Sequence, residues 1–120
     1  MKKLLIFAFF AVSVSQACQT LKSQTYIDPQ KSFVLGEGKH GSYVAQIQNV
    51  GKGDLEVVQV SEKGIRTSLG VLKSKEKGKY QVSNNTTVQF KNDDAREKGI
   101  IDIRLVGDTN LSMGYQGNNP

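Results

Sequence analysis

The sequence predicts an all-β chain folded as a single antiparallel β-sandwich. Three observations carry that expectation. From Phe33 onward, apolar and polar residues alternate with a period of 2, the spacing that sends successive side chains to opposite faces of a strand. Clusters of Gly, Asn, Asp and Lys interrupt these runs about every 8–12 residues, as a sandwich or small barrel requires. No window of about 11 residues beyond the N-terminal segment holds an i, i+3, i+4, i+7 apolar stripe.

The strands follow in order. Phe33-Val34-Leu35 stops at Gly36-Glu37-Gly38. In 42–49, Tyr43, Ala45 and Ile47 alternate with Gln46 and Gln48 before Gly51-Lys52-Gly53-Asp54 turns the chain. In 54–60 the apolar phase slips between Val57 and Val58, which marks a bulge or a strand buried on both faces. Glu62-Lys63-Gly64 is a tight turn, and 65–72 keeps Ile65, Thr67, Leu69 and Val71 on one face. The tip 73–78 is charged. Tyr80 and Val82 carry 79–83, and Thr86, Val88 and Phe90 carry 86–91. Ile101, Ile103 and Leu105 carry 100–106, and Leu111, Met113 and Tyr115 carry 111–115.

Seven to eight short strands result, each with one dry and one wet face. The style is immunoglobulin-like or jelly-roll. With one Cys and no Trp, the likeness to an immunoglobulin domain is architectural only. Asp93 to Lys98 has acids first and cations last, as one helical turn would, but no apolar face to extend it. The expected core is Phe33, Leu35, Tyr43, Ile47, Leu55, Val57, Ile65, Leu69, Val71, Val82, Val88, Phe90, Ile101, Ile103, Leu105, Leu111 and Met113.

The 120 residues allow one ordinary domain. One Cys and one His exclude a disulfide framework, a Cys/His zinc cluster and a His-rich metal site. Met1-Lys2-Lys3 is a cationic start, and Leu4 to Val12 is an uncharged apolar run too short to cross a bilayer core of about 30 Å. With small residues at Ser15 and Ala17, residues 1–17 read as a secretory signal peptide. The 16 Lys/Arg oppose 11 Asp/Glu; removing Lys2 and Lys3 leaves 14 against 11, a mature net charge of +3.

Ala17-Cys18 places the only cysteine at the end of that leader. The junction resembles the lipobox of bacterial lipoproteins, whose cysteine thiol receives diacylglycerol and becomes the new N-terminus. Ser15 stands where Leu is usual, and Ser15-Gln16-Ala17 also fits the small-x-small site of ordinary signal peptidase. Lipid anchoring through Cys18 is the leading reading and soluble secretion the alternative. Lipidation would also consume a lone thiol that export leaves open to oxidation. By the family's sorting rule, Gln19 rather than Asp implies the outer membrane. The expected organisation is a leader over 1–17, a polar tether over 18–31, the sandwich over 32–115 and a disordered tail over 116–120.

Catalytic equipment is sparse. His40 lies among glycines with Ser42 and Glu37 nominally available, and reads as a solvated loop residue. Asp93, Asp94 and Asp108 are weak candidates for a calcium or paired-carboxylate site, so no metal or other cofactor is expected. Lys73, Lys75, Lys77 and Lys79 alternate along an expected hairpin; without aromatic platforms they do not indicate nucleic acid, and they read as a soluble tip that discourages edge-to-edge pairing, with a weak contact to anionic lipid headgroups as the alternative. Gln46, Gln48, Asn49, Gln59, Gln81 and Gln89, with Tyr26, Tyr43, Tyr80 and Tyr115, suit recognition of carbohydrate or peptide, and equally suit any wet sheet face.

The expected function is therefore an exported, lipid-anchored, non-enzymatic binding or structural module of a bacterial envelope, periplasmic or at the outer membrane. Its partners would be the membrane through Cys18 and an envelope protein or glycan. One alternative is a small metal-dependent or hydrolytic domain using the Asp93, Asp94 and Asp108 loops. Another is an accessory or inhibitor protein acting through a sheet edge.

Overall fold

The computed structural model describes residues 20–118. The leader expected over 1–17, Cys18 as the expected lipid acceptor, and the last two positions of the expected tail lie outside the described residues. Nine strands form: β1 (Thr20–Ile27), β2 (Lys31–Leu35), β3 (Tyr43–Asn49), β4 (Leu55–Val60), β5 (Arg66–Leu72), β6 (Lys77–Val82), β7 (Thr87–Asn92), β8 (Gly99–Gly107) and β9 (Met113–Gly117). They make a sandwich of two antiparallel sheets, ordered β1-β8-β3-β6 and β5-β4-β7-β2-β9. Only β4 to β5 is a hairpin within one sheet. Every other described connection passes from one sheet to the other, so most strands pair with partners remote in sequence.

Burial between the sheets holds them together. Tyr43, Ala45 and Ile47 of β3 and Ile101, Ile103 and Leu105 of β8 face Leu35, Phe33, Val57, Val88 and Phe90 of the other sheet, and all are buried. Central β4 is buried on both faces, because Val57 points inward while Val58 is 5% exposed on the outer side. The slip read between them is a register shift: Val57 pairs with Gly70 and Val58 with Ser68, which leaves Leu69 as the extra residue. Gly70, at φ +108°, supplies the backbone conformation that the bulge needs and that other residues resist.

That bulge corrects part of the expected core. Beyond it Leu72 is the inward residue, opposite Leu55, and Val71 faces solvent opposite Glu56. Leu69 and Val71 are exposed on an edge strand, and Ile65 lies before the strand at 63% exposure. Met113, on the opposite edge strand β9, is also exposed. Ile27, Ala45 and Leu72 join the core instead, and Leu111 packs against its margin.

The tether expected over 18–31 is also corrected. Thr20–Ile27 pairs with β8 along its whole length, from Thr20 opposite Val106 to Ile27 opposite Gly99. Its inward positions are Leu21, Ser23, Thr25 and Ile27, so the alternation is present with hydroxyl residues at two of four places. Pairing with a central strand holds it despite that polarity. The tail is ordered through 118: Gln116 and Gly117 pair with β2, and the Asn118 side chain donates to the Asn92 carbonyl at 3.0 Å. Residues 93–98 form a bend rather than a helical turn. The Lys73–Lys79 segment is not a hairpin, because β5 and β6 belong to different sheets.

Candidate functional site

The outer face of the four-stranded sheet collects the residues best suited to recognition. Strand register sets two rows across it. Lys22 lies opposite Arg104, Arg104 opposite Gln46, and Gln46 opposite Lys79. Alongside run Gln24, Asp102, Gln48 and Lys77. Each of these positions is outward because its neighbours Ser23, Ile47, Ile103 and Gly78 point inward, the period of 2 dividing one strand between core and surface. Together the two rows line a trough of about 660 Å³. A second hollow of about 530 Å³ follows along the same sheet, over Val44, Gln81 and Val106.

Floor and rim differ in chemistry. Gln46, Gln48 and Asp102 are half-buried on the floor, while Lys22, Lys77, Lys79 and Arg104 are exposed around it. Asp102 accepts a 2.7 Å hydrogen bond from Gln24, and Gln46 accepts one from Arg104 at 3.4 Å. Among the described residues, Lys22, Lys77 and Lys79 form no ion pair within 4.0 Å. Tyr26 stands just beyond, exposed, its hydroxyl donating to Gln24 at 3.3 Å. Gly78 lets β6 carry two outward lysines over a packed interior, since a Cβ there would run into the Tyr80 ring. That ring packs edge-on against Phe90 at 6.1 Å, and burial raises its hydroxyl pKa, with Glu76 adding to the effect.

Charge is distributed unevenly over the molecule. The trough holds four cations and one carboxylate. Subtracting these from the 14 cations and 11 acids of the described residues leaves ten of each, so the described residues' whole excess of +3 sits on this face. By contrast, the outer face of the five-stranded sheet has a hollow of about 220 Å³ whose cations are engaged: Lys91 pairs with Glu56 at 3.6 Å and Arg66 donates to Gln89 at 3.0 Å.

The other expected site residues have structural duties. Asp94 and Asp108 lie beyond opposite ends of β8, a strand about 26 Å long, and among the described residues they form no shared carboxylate or calcium cluster. Asp94 accepts from the backbone N–H groups of Glu97 and Arg96, both at 2.8 Å, and Asp108 from those of Gly41 (2.6 Å) and Asn110 (3.0 Å). These hydrogen bonds hold both carboxyl groups below their usual pKa, as turn-capping acids require. Asp93 accepts from the Asn118 side chain at 3.0 Å.

His40 is half-buried rather than solvated. Its Nδ1 lies 2.7 Å from the Gly41 carbonyl and its Nε2 2.9 Å from that of Thr86, while the ring packs against Tyr43 at 5.5 Å. A backbone carbonyl thus sits against each ring nitrogen, so neither is aimed at a nucleophile. Tyr43 is itself buried, with its hydroxyl pKa pushed up by desolvation. Asn49 and Gln89 are buried, Tyr115 is exposed on β9, and Lys73 and Lys75 lie on the connection between the sheets.

The sequence singled out Gln46, Gln48, Lys77 and Lys79 but not Lys22, Gln24, Asp102 and Arg104, which complete the face. The signal for the missing half was the alternation in 20–27, with Lys22 and Gln24 out of phase with Leu21 and Ile27. No protein-family model matches this chain, and no curated protein matches it.

Proposed function

We propose that the chain is an exported, lipid-anchored, non-enzymatic binding module of a bacterial envelope, and that the outer face of its four-stranded sheet is the binding surface. The supporting observation is the coincidence of the described residues' entire charge excess with a recessed, amide-floored trough. Half-buried amides offer both donors and acceptors at fixed positions, while rim cations attract a partner over a longer range. Export rests on the leader over 1–17, and anchoring on Cys18 directly after it. Since β1 starts at Thr20, the peptide between Cys18 and the sandwich reaches at most about 7 Å, and an acyl group there would hold the domain against the membrane surface.

A photo-crosslinking residue in place of Gln48 tests the face. In cells it is expected to trap a partner, while the same residue in place of Ser68, exposed on the other sheet, is expected to trap none. Equal trapping at both positions, or trapping at Ser68 alone, would count against this surface.

A further inference from the structure

We infer that the partner taken by this face is an acidic glycan, a polysaccharide carrying carboxylate groups, held with its hydroxyls on the glutamine floor and its charges against the rim. The inference rests on the reading of the trough as the binding surface and goes on to name the chemistry.

Charge complementarity gives the sign. Four cations surround one carboxylate, and that carboxylate is already occupied by Gln24 at 2.7 Å. The positions give the shape. Lys77 and Lys79 stand about 7 Å apart along β6, and Lys22 and Lys79 stand three strand spacings apart, about 14 Å, across the sheet. An anionic group can therefore be met on either side of the amides, which suits an extended polymer with repeated charges better than one small anion.

The floor selects among polyanions. Gln46 and Gln48 present planar amides that match sugar hydroxyls as both donors and acceptors. No aromatic ring lines the trough and Tyr26 alone stands beyond its edge, so successive nucleobases would lack the series of platforms on which they stack. Ile47 and Ile103, the apolar side chains lining the trough, are buried, so neither opens a socket for the alternate side chains of an acidic peptide.

Binding to polygalacturonate, a carboxylated polysaccharide, tests this with the purified exported protein; dextran, poly-aspartate and phosphatidylglycerol-containing vesicles serve as comparisons. The expected result is salt-sensitive binding to polygalacturonate and none to dextran. The double variant Lys77→Ala/Lys79→Ala should weaken it at least about tenfold, while Lys52→Ala/Lys63→Ala, exposed lysines away from the trough, should change it less than about twofold. Equal binding to dextran, or an equal loss in both lysine pairs, would overturn the inference. So would tighter binding to poly-aspartate or to vesicles through Lys77 and Lys79. A crosslink at Gln48 without affinity for polygalacturonate would leave the binding face standing and remove the glycan.

Discussion

Replacing Phe90 by Ala is expected to cost about 3–5 kcal/mol, the largest loss from any single core truncation in this domain. Phe90 is fully buried on β7, the middle strand of the five-stranded sheet. Its ring lies 6.5 Å from Phe33 in its own sheet and 6.1 Å from Tyr80 in the opposite one, so it ties the two layers together. Domains of this size are stable by about 5–15 kcal/mol, and no disulfide within the chain is available to compensate. The melting temperature should fall by about 15–30 °C. Leu69→Ala is the informative comparison, because its side chain lies on the bulged edge strand at 40% exposure and should cost under about 1 kcal/mol. Similar losses for the two variants in denaturant titrations would show that the inward and outward faces have been assigned wrongly.

Asn92→Ala should be the most damaging polar substitution, at about 2–4 kcal/mol. Asn92 is 2% exposed at the end of β7. Its Nδ2 donates to the carbonyls of Ile27 (3.0 Å), Asp28 (3.3 Å) and Glu97 (2.8 Å), and its Oδ1 accepts from the Asp94 N–H at 3.1 Å. One side chain thus fastens the exit of β1, the bend before β8 and its own strand, and its bond to the Ile27 carbonyl is buried, where a stranded acceptor would be costly. Asn92→Asp keeps the shape and removes the donor, so it should be destabilised at least as much. Native-like stability for Asn92→Asp would mean that these hydrogen bonds are not what holds this end of the sandwich.

Legibility in the sequence followed how cleanly the hydrophobic pattern reported burial. Eight of the nine strands were readable because their inward residues, such as Ile101, Ile103 and Leu105, are large and apolar against polar neighbours. β1 was not, because Ser23 and Thr25 occupy inward positions where partner-strand pairing stabilises what propensity alone would not. The phase of β5 was lost for a different reason. The bulge at Leu69 moves the inward set by one residue, and a period-2 reading carried across it assigns Val71 rather than Leu72 to the core. Asn92 looked like the start of a loop and Asn49 like part of a wet strand face, since nothing local shows that a strand-terminal amide will be buried against backbone carbonyls from distant segments.

Only half of the candidate face was visible beforehand. β3 and β6 showed their amides and lysines plainly, but joining them to Lys22, Gln24, Asp102 and Arg104 requires the strand order β1-β8-β3-β6. Strand order follows from long-range pairing, which local alternation does not encode. The charge excess is likewise invisible as a face until these four strands stand side by side.

The mass of the native protein, purified from the cells that make it, bears most directly on the whole account. A chain beginning at Cys18 and heavier than its polypeptide by a diacylglycerol and an added acyl group is the expected result; a chain of unmodified mass that still begins at Met1 would contradict it.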